Sequence, residues 1–321
     1  MVAKERPQIS IIMPCYNTEQ NVAESVLSIL NNRIAQKCEL IIINDGSTDN
    51  SENIINNVIK EKGNFIIKYK KINNSGVSVA RNTGFEMAEG DYIVFIDSDD
   101  KQSPIMLEAL LKGILQFHAD IGFCQWTNDK KKIDTSFKKA KLMKTLSFLK
   151  ILLYRTKPIG LWTVMFKKSL LDSNKIKFSK DIKYGEDLQF LWKAAIRARN
   201  VAEIDAKYYY YRPSPTSAMK KTTWRKTEVI NVMSEMKKEI EHNVPSFADE
   251  FESFMIPRTL LSLLKDFAQT DSKDYYDKLR KEYDCRRMMS TIKHSSIKIR
   301  GSAYLYCISP FLFYQLFKRL T

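Results

Sequence analysis

The stretch YIVFIDSDD, residues 92–100, decides the fold. An apolar, β-branched and aromatic run ends abruptly in Asp97, Asp99 and Asp100. It reads as a buried strand whose carboxyl end opens into a cleft. Carboxylates crowded there repel one another and resist desolvation unless a cation joins them. The chemistry that suits them is a hard divalent metal, Mg²⁺ or Mn²⁺, shared with the phosphates of a nucleotide. A solvated acidic turn is the alternative, since Asp and Ser are ordinary turn formers.

Working outward, strand and helix alternate. Residues 9–13 form an apolar strand, left through the turn Pro14-Cys15-Tyr16-Asn17 into a helix with Thr18 as N-cap. Residues 40–43 form a second strand ending at Asn44-Asp45-Gly46-Ser47; the next helix is capped near Ser47 or Thr48 and stops at Gly63. Residues 65–72 are strand-like, and residues 75–89 read as a helix stopped by Gly90. Short links between such elements imply parallel pairing and right-handed crossovers. Ligands of such sheets sit outside the carboxyl ends of the strands. Asn17, Asp45, Asn73 and Asp97 all fall at those ends and are expected to converge on one crevice.

Further along, the pattern predicts a helix over 104–118, a strand over 121–126 and a solvated, lysine-rich excursion over 128–141. A helix over 146–154, an apolar segment over 161–166, a helix over 186–198 and a tyrosine-rich strand over 206–211 follow. Beyond about residue 222 the strand signal stops and the chain reads as helices. The expected class is therefore α/β, a mostly parallel twisted sheet flanked by helices, spanning 1–218, with a helical C-terminal region at 219–321.

The chain of 321 residues is long enough for about two domains, and its 44% hydrophobic content suffices for a sizeable core. A formal charge of +15 suits anionic partners: nucleic acid, an anionic membrane or phosphorylated substrates. Five scattered cysteines without a CxxC pair, and only three histidines, argue against zinc and for reduced, cytosolic thiols. No signal peptide is expected, and no uncharged apolar run reaches the about 20 residues of a spanning helix.

Several residues could carry chemistry. Asp45, in NDGSTD, can accept a hydrogen bond from a base N–H, or belong to a helix-capping cluster. Tyr16 and Asn17 could flank a base or ribose, or simply make the turn. Arg81, in NNSGVSVARNTG, can hold phosphate or the acidic cluster bidentately, or sit on a surface. Glu186-Asp187 follow Tyr184-Gly185 at a helix start, where the dipole favours the carboxylate; a general base fits there, and so does simple capping. Arg212, with Ser217 and Lys220 or Lys221, could neutralise a departing diphosphate or be a basic loop.

Taken in order, SIIMPCYNTEQ, ELIIINDGSTDNS, NNSGVSVARNTGFEMAEGDYIVFIDSDD, GEDLQF and YYYYRPSPTS resemble family 2 glycosyltransferases of the GT-A fold over about the first 217 residues. The resemblance implies a nucleotide-sugar donor (usually UDP-linked), a divalent metal, Mn²⁺ or Mg²⁺, and inversion at the anomeric carbon. It divides the catalytic region into a nucleotide-sugar half at 1–125 and an acceptor half at 126–218. Pro14, Tyr16, Asn17 and Glu19 would surround the nucleoside, and Asp45 would read the uracil. Asn73, Arg81 and Ser98 would line the nucleotide site; Asp97 would touch ribose or sugar and share with Asp99 the metal on the diphosphate. Asp187 would be the general base, with Glu186 beside it binding acceptor or donor sugar. Arg212 would close over the diphosphate, although a histidine that some relatives carry nearby is missing here. Trp162, a candidate for stacking on a sugar or for the core, and Asp100 fall to the acceptor, a glycan or lipid-linked saccharide of a surface polysaccharide.

From Arg286 onward the chain has seven Lys or Arg and no Asp or Glu, around the uncharged aromatic run AYLYCISPFLFYQLF, residues 303–317. Basic flanks and an apolar aromatic centre suit the interface of an anionic membrane, which predicts peripheral attachment through 286–321 on the cytoplasmic side. A docked terminal helix or a dimer contact is the alternative. A nucleic-acid binder would interleave aromatics and cations on a sheet or groove. A sugar nucleotidyltransferase would show a glycine-rich phosphate loop where PCYNTEQ stands. The basic excess lies instead in the lysine-rich excursion and the tail, and PCYNTEQ is not a glycine-rich loop, so both stand as alternatives ranked below the glycosyltransferase reading.

Overall fold

The computed structural model describes residues 6–61, 65–213, 222–292 and 296–320. Two compact units divide the chain: residues 1–181 with 186–213, and residues 182–185 with 214–321.

The first unit is built on nine strands: β1 (Ile9–Cys15), β2 (Cys38–Asn44), β3 (Ile66–Lys71), β4 (Tyr92–Phe95), β5 (Lys101–Gln102), β6 (Ile121–Thr127), β7 (Ala140–Lys144), β8 (Val164–Lys167) and β9 (Asn200–Tyr210). Its helices are α1 (Val22–Leu30), α2 (Ser51–Glu61), α3 (Val77–Glu86), α4 (Met106–Phe117), α5 (Thr145–Tyr154), α6 (Lys168–Ser173) and α7 (Glu186–Arg197). The strand order is β3-β2-β1-β4-β8-β6-β9-β5, with β7 also on β9. β1 pairs parallel with β2 and β4, and β2 with β3, as the strand–helix alternation predicts. Every residue of β1 and β2 is buried, as expected of parallel strands covered on both faces. Pro14 fits inside β1 because the ladder to β4 ends at Ile12, so no partner strand needs its missing N–H. Gly84 lets α3 lie close on the sheet: a Cβ there would come within 2.5 Å of the Ile12 side chain.

Beyond β4 the sheet is mixed. β8 runs antiparallel to both β4 and β6, and β7 antiparallel to β9. The expected solvated excursion therefore contributes a strand at its end, and the tyrosine-rich strand begins at Asn200 rather than 206. Two helix starts also differ from expectation. Thr18 does not cap α1: its carbonyl accepts from Asn21 and Val22 in a preceding turn. Ser47 and Thr48 do not cap α2, which begins at Ser51 after Asp49 accepts from the Ser51 amide. Ser47 and Thr48 instead bond the loop after β1, where polar side chains satisfy exposed backbone that has no ladder partner. Gly63, expected to end α2, lies outside the described residues.

The second unit is helical: α8 (Glu228–Asn243), α9 (Ala248–Gln269), α10 (Lys273–Glu282), α11 (Cys285–Ser290), α12 (Ile297–Ile308) and α13 (Pro310–Lys318). Phe251, Leu260, Leu264 and Phe267 of α9 are fully buried in its core beside Met236, Leu279 and Phe313. The aromatic run near the C-terminus is broken where its sequence says it should be. Ser309 caps α13 by accepting from the Leu312 amide at 3.2 Å, and Pro310 occupies the first helical position. Tyr276 of α10 donates to the Pro310 carbonyl at 2.8 Å and Tyr314 to Asp271 at 2.7 Å, which fixes α13 on the bundle.

Candidate active site

Because β1, β2, β3 and β4 are parallel, their carboxyl ends share one rim of the first unit. Asn17, Asp45, Asn73 and Asp97 leave the sheet there. Asn17, in the left-handed region at φ 51°, donates its amide to Ser47 Oγ (3.0 Å) and accepts from the Thr48 amide (2.8 Å). The Glu19 amide donates to Asp49 Oδ2 (3.0 Å), and Glu19 Oε2 accepts from the Asn50 amide (2.8 Å). Asn17 and Glu19 therefore stitch the first two loops together and leave Tyr16, 47% exposed, standing on the rim. Asp45 is 4% exposed and accepts from the amides of Ser75 (2.8 Å) and Gly76 (2.9 Å), so it fixes the loop that opens α3. Beside it, Gly46, Lys71, Ile72, Asn73 and Asn74 line an open cavity of ≈ 670 Å³. Gly46 at φ 73° turns the chain there, and a Cβ would come within 2.8 Å of the Asn74 amide nitrogen. Ser98 is buried, its hydroxyl near the Cys15 thiol.

Arg81 joins the two acidic groups of the sequence. Its side chain, 5% exposed, pairs with Asp97 at 3.1 Å and Glu186 at 3.2 Å. Burial alone would lower its pKa, but Asp97, Glu186 and Asp187 together raise it, which puts the 97 and 186–187 carboxylates around one guanidinium. Of the two partners the sequence offered Arg81, phosphate or the acidic cluster, the structure shows the contacts to the acidic cluster. Arg81 also covers the Phe178 ring at 5.3 Å, while Asn82 exchanges two hydrogen bonds with the Phe178 backbone (2.8 and 2.9 Å). Below, Phe178 stacks on Phe190 at 4.2 Å and Phe95 meets both edge-on. This aromatic knot, with each pair contributing about 0.5–1.5 kcal/mol beyond its area, holds the start of α7 against the end of β4.

Glu186 and Asp187 open α7. Burial and the neighbouring Asp187 push the Glu186 carboxyl up to about 7, with Arg81 opposing them. Asp187 Oδ1 accepts from the Leu188 amide at 2.7 Å, which orients the carboxylate at the helix start.

On the other side of Asp97, burial and the Asp97 charge raise the Asp99 carboxyl to about 6. Asp100, expected at the acceptor, is only 1% exposed and has both oxygens engaged. It accepts from Tyr209 Oη at 2.9 Å and from the Arg212 amide at 2.7 Å, so it braces the end of β9 from inside. Burial first, then Asp97 and Asp99, raise its carboxyl to about 8. Arg212 Nε donates to the Asp99 carbonyl at 2.8 Å, placing the guanidinium beside Asp99. Trp162 is half-buried and stacks on Tyr211 at 5.5 Å, next to Trp126 and Tyr209. Ser217, Lys220 and Lys221 lie outside the described residues. Among the described residues no three carboxylate, His or Cys side chains form a ready-made metal cage.

Sequence reasoning missed Asn82, which fastens the Phe178 backbone, and Tyr209, which donates to Asp100. Asn82 follows Arg81 directly in the quoted motif, so proximity could have found it. Nothing local singles out Tyr209 from its tyrosine neighbours.

A family model described as "Glycosyl transferase family 2" matches residues 10–174. The uncharacterised glycosyltransferase EpsJ of Bacillus subtilis (strain 168) is 29% identical over 224 residues, 66% of this chain and 62% of that protein. The poly(ribitol-phosphate) beta-N-acetylglucosaminyltransferase TarP of Staphylococcus aureus (strain N315) is 33% identical over 209 residues, 64% of this chain and 62% of the relative. The chain thus spans about three fifths of the length of these two relatives. Among solved structures, S. aureus TarS 1–349 in complex with UDP-GlcNAc superposes with a TM-score of 0.68 at 20% identity, over 97% of this chain and 90% of that one. That likeness shows the fold.

Proposed function

The chain belongs to glycosyl transferase family 2, and we propose that it transfers a sugar from a UDP-sugar to a hydroxyl of a glycan or lipid-linked saccharide, with inversion, in the synthesis of a surface polymer. The observation that carries this reading is the Arg81 clamp, which holds Asp97 of the donor rim and Glu186 of the α7 start around one buried cation. Surface-glycan synthesis is supported by the relatives, among them the poly(ribitol-phosphate) transferase.

In the proposed reaction Tyr16 and the cavity beside Asp45 receive the nucleoside, with Asn73 on the cavity wall. Asp45 acts mainly by fixing that wall, while Pro14, Asn17 and Glu19 shape the opposite one. Asp99, aided by Asp97, fits a cation that brings most of its ligands with the donor. It is a carboxyl made costly to ionise by burial and a like charge, and among the described residues no complete protein cage surrounds it. When bound, Mn²⁺ or Mg²⁺ supplies charge stabilisation on the diphosphate. Asp187 takes the proton from the acceptor hydroxyl as its oxygen attacks the anomeric carbon from the face away from the nucleotide. Oδ2 of Asp187 is the oxygen for that task, because Oδ1 is held by the Leu188 amide. Glu186 contacts donor or acceptor sugar, and Arg212 offsets charge on the departing diphosphate. Trp162 and Tyr211 offer an aromatic shelf for the acceptor sugar.

The test is a thermal-shift screen of UDP-, GDP-, CMP- and dTDP-sugars with and without Mn²⁺. Stabilisation by a UDP-sugar that depends on the metal is expected. Uniform responses with no metal dependence would defeat the donor assignment.

Membrane attachment is a separate part of the proposal. No helix among the described residues is long and apolar enough to cross a bilayer. On α12 and α13, however, Ile297 (78% exposed), Tyr304 (70%) and Phe311 (67%) face outward with Ile308, Leu312 and Leu316. Lys298, Arg300 and Arg319 accompany them, while Lys318 pairs with Asp271 at 2.8 Å, and no acidic residue follows Asp284. Each cation near an anionic leaflet contributes about 1 kcal/mol, so this surface suits peripheral binding on the cytoplasmic face. Replacing Tyr304, Phe311 and Leu312 by Ser is expected to abolish co-flotation with phosphatidylglycerol vesicles. Undiminished flotation of the triple variant would count against the surface.

A further inference from the structure

We propose that Glu24, supported by Lys101, is a positioning residue that aims the Arg212 guanidinium at the donor's phosphoryl groups. The proposal rests on the reading of Arg212 as diphosphate-facing. Three contacts define the arginine. Its main-chain amide is held by Asp100, its Nε by the Asp99 carbonyl, and Nη2 donates to Glu24 Oε2 at 2.5 Å. The guanidinium also lies over the Tyr210 ring at 5.9 Å. Nη1 has no partner among the described residues, so one edge of the fork remains for an anion beside Asp99.

Glu24 sits in the first turn of α1, where the helix dipole favours its charge. Its second oxygen, Oε1, accepts from the Lys101 ammonium. One carboxylate thus bridges two cations that approach from the ends of different strands, β5 and β9. Removing its charge would leave the guanidinium held by the Nε bond and the Tyr210 ring, with Arg212, Lys101 and Lys130 close together and no carboxylate charge between Arg212 and Lys101. A flexible arginine loses rotamer freedom on binding, whereas a prefixed one does not. The sequence gives no hint of this role, because Glu24 lies between apolar positions of an ordinary amphipathic helix.

The test is calorimetric titration of the full chain with UDP and with UMP in the presence of Mn²⁺. Glu24→Gln keeps the shape and, at a half-exposed position, leaves the fold intact. It is expected to weaken UDP binding about tenfold, the scale of one charge-assisted hydrogen bond, with UMP affinity unchanged. Lys101→Met is expected to shift UDP in the same direction. Unchanged UMP binding reports an intact nucleoside site, so general misfolding is distinguished. Unaltered or tighter UDP binding in Glu24→Gln overturns the positioning role. Arg212→Ala separates the two levels. If it erases the preference for UDP over UMP while Glu24→Gln does not, only the positioning role falls. If Arg212→Ala leaves that preference intact, the diphosphate reading itself falls, and the positioning role with it.

Discussion

Asp187→Asn is expected to lower turnover by roughly 10²–10⁴-fold, the usual contribution of a positioned general base, with little change in donor affinity. The carboxamide keeps the size of the side chain and can still accept from the Leu188 amide through its oxygen. What it loses is the capacity to take a proton from the acceptor hydroxyl. In the proposed reaction the donor is held at Tyr16, the cavity beside Asp45, and Asp99, away from the altered atoms. A transfer assay combined with a donor titration separates these effects. Near-wild-type turnover would remove Asp187 from the base role, and a parallel collapse of donor affinity would make it a binding residue.

Arg81→Met is expected to lower stability by about 3–5 kcal/mol, because it strands carboxylates that the fold buries around a cation. Glu186 and Asp97 are 13% and 26% exposed at their side chains, so water replaces the lost partner poorly. Methionine retains the packing over Phe178, which assigns the loss to charge rather than volume. Arg81→Lys should recover only part of it, since one ammonium does not reach both carboxylates with the geometry of a fork. Urea denaturation measures the change. A midpoint within error of wild type would mean that the clamp contributes nothing net. Activity should vanish along with the clamp, because Asp97 and the start of α7 lose their common anchor.

The rim itself was legible in the sequence because parallel strands carry nearly continuous apolar runs. Residues 9–13, 40–43 and 92–96 announce themselves, and the short helical links between them dictate the pairing. The second half was less readable for a physical reason. β8 is four residues long and runs antiparallel between β4 and β6, and no local pattern distinguishes that direction. β7 carries lysines in an edge strand paired with β9, so its composition reads as solvated loop. The acidic residues show the same limit. Residue types and spacing singled out Asp45, Asp97, Asp99, Asp100, Glu186 and Asp187, but burial and partners decide what each does. Asp45 and Asp100 spend their oxygens on backbone amides and a tyrosine, and Arg81 turned out to serve the carboxylates. Chain-distant contacts of this kind, such as Arg81 to Glu186 or Arg212 to Glu24, leave no mark in a local motif.

The most direct test of the central claim is a crystal structure of the full chain with UDP and Mn²⁺, the metal located by its anomalous signal. The account predicts the metal on the Asp99 carboxylate, the diphosphate between it and Arg212, and the Asp187 carboxylate facing the open side of the β-phosphate. UDP seated elsewhere, for instance in the ≈ 370 Å³ cleft lined by Arg6, Asp91 and Lys168, with Asp99 free of metal, would contradict it.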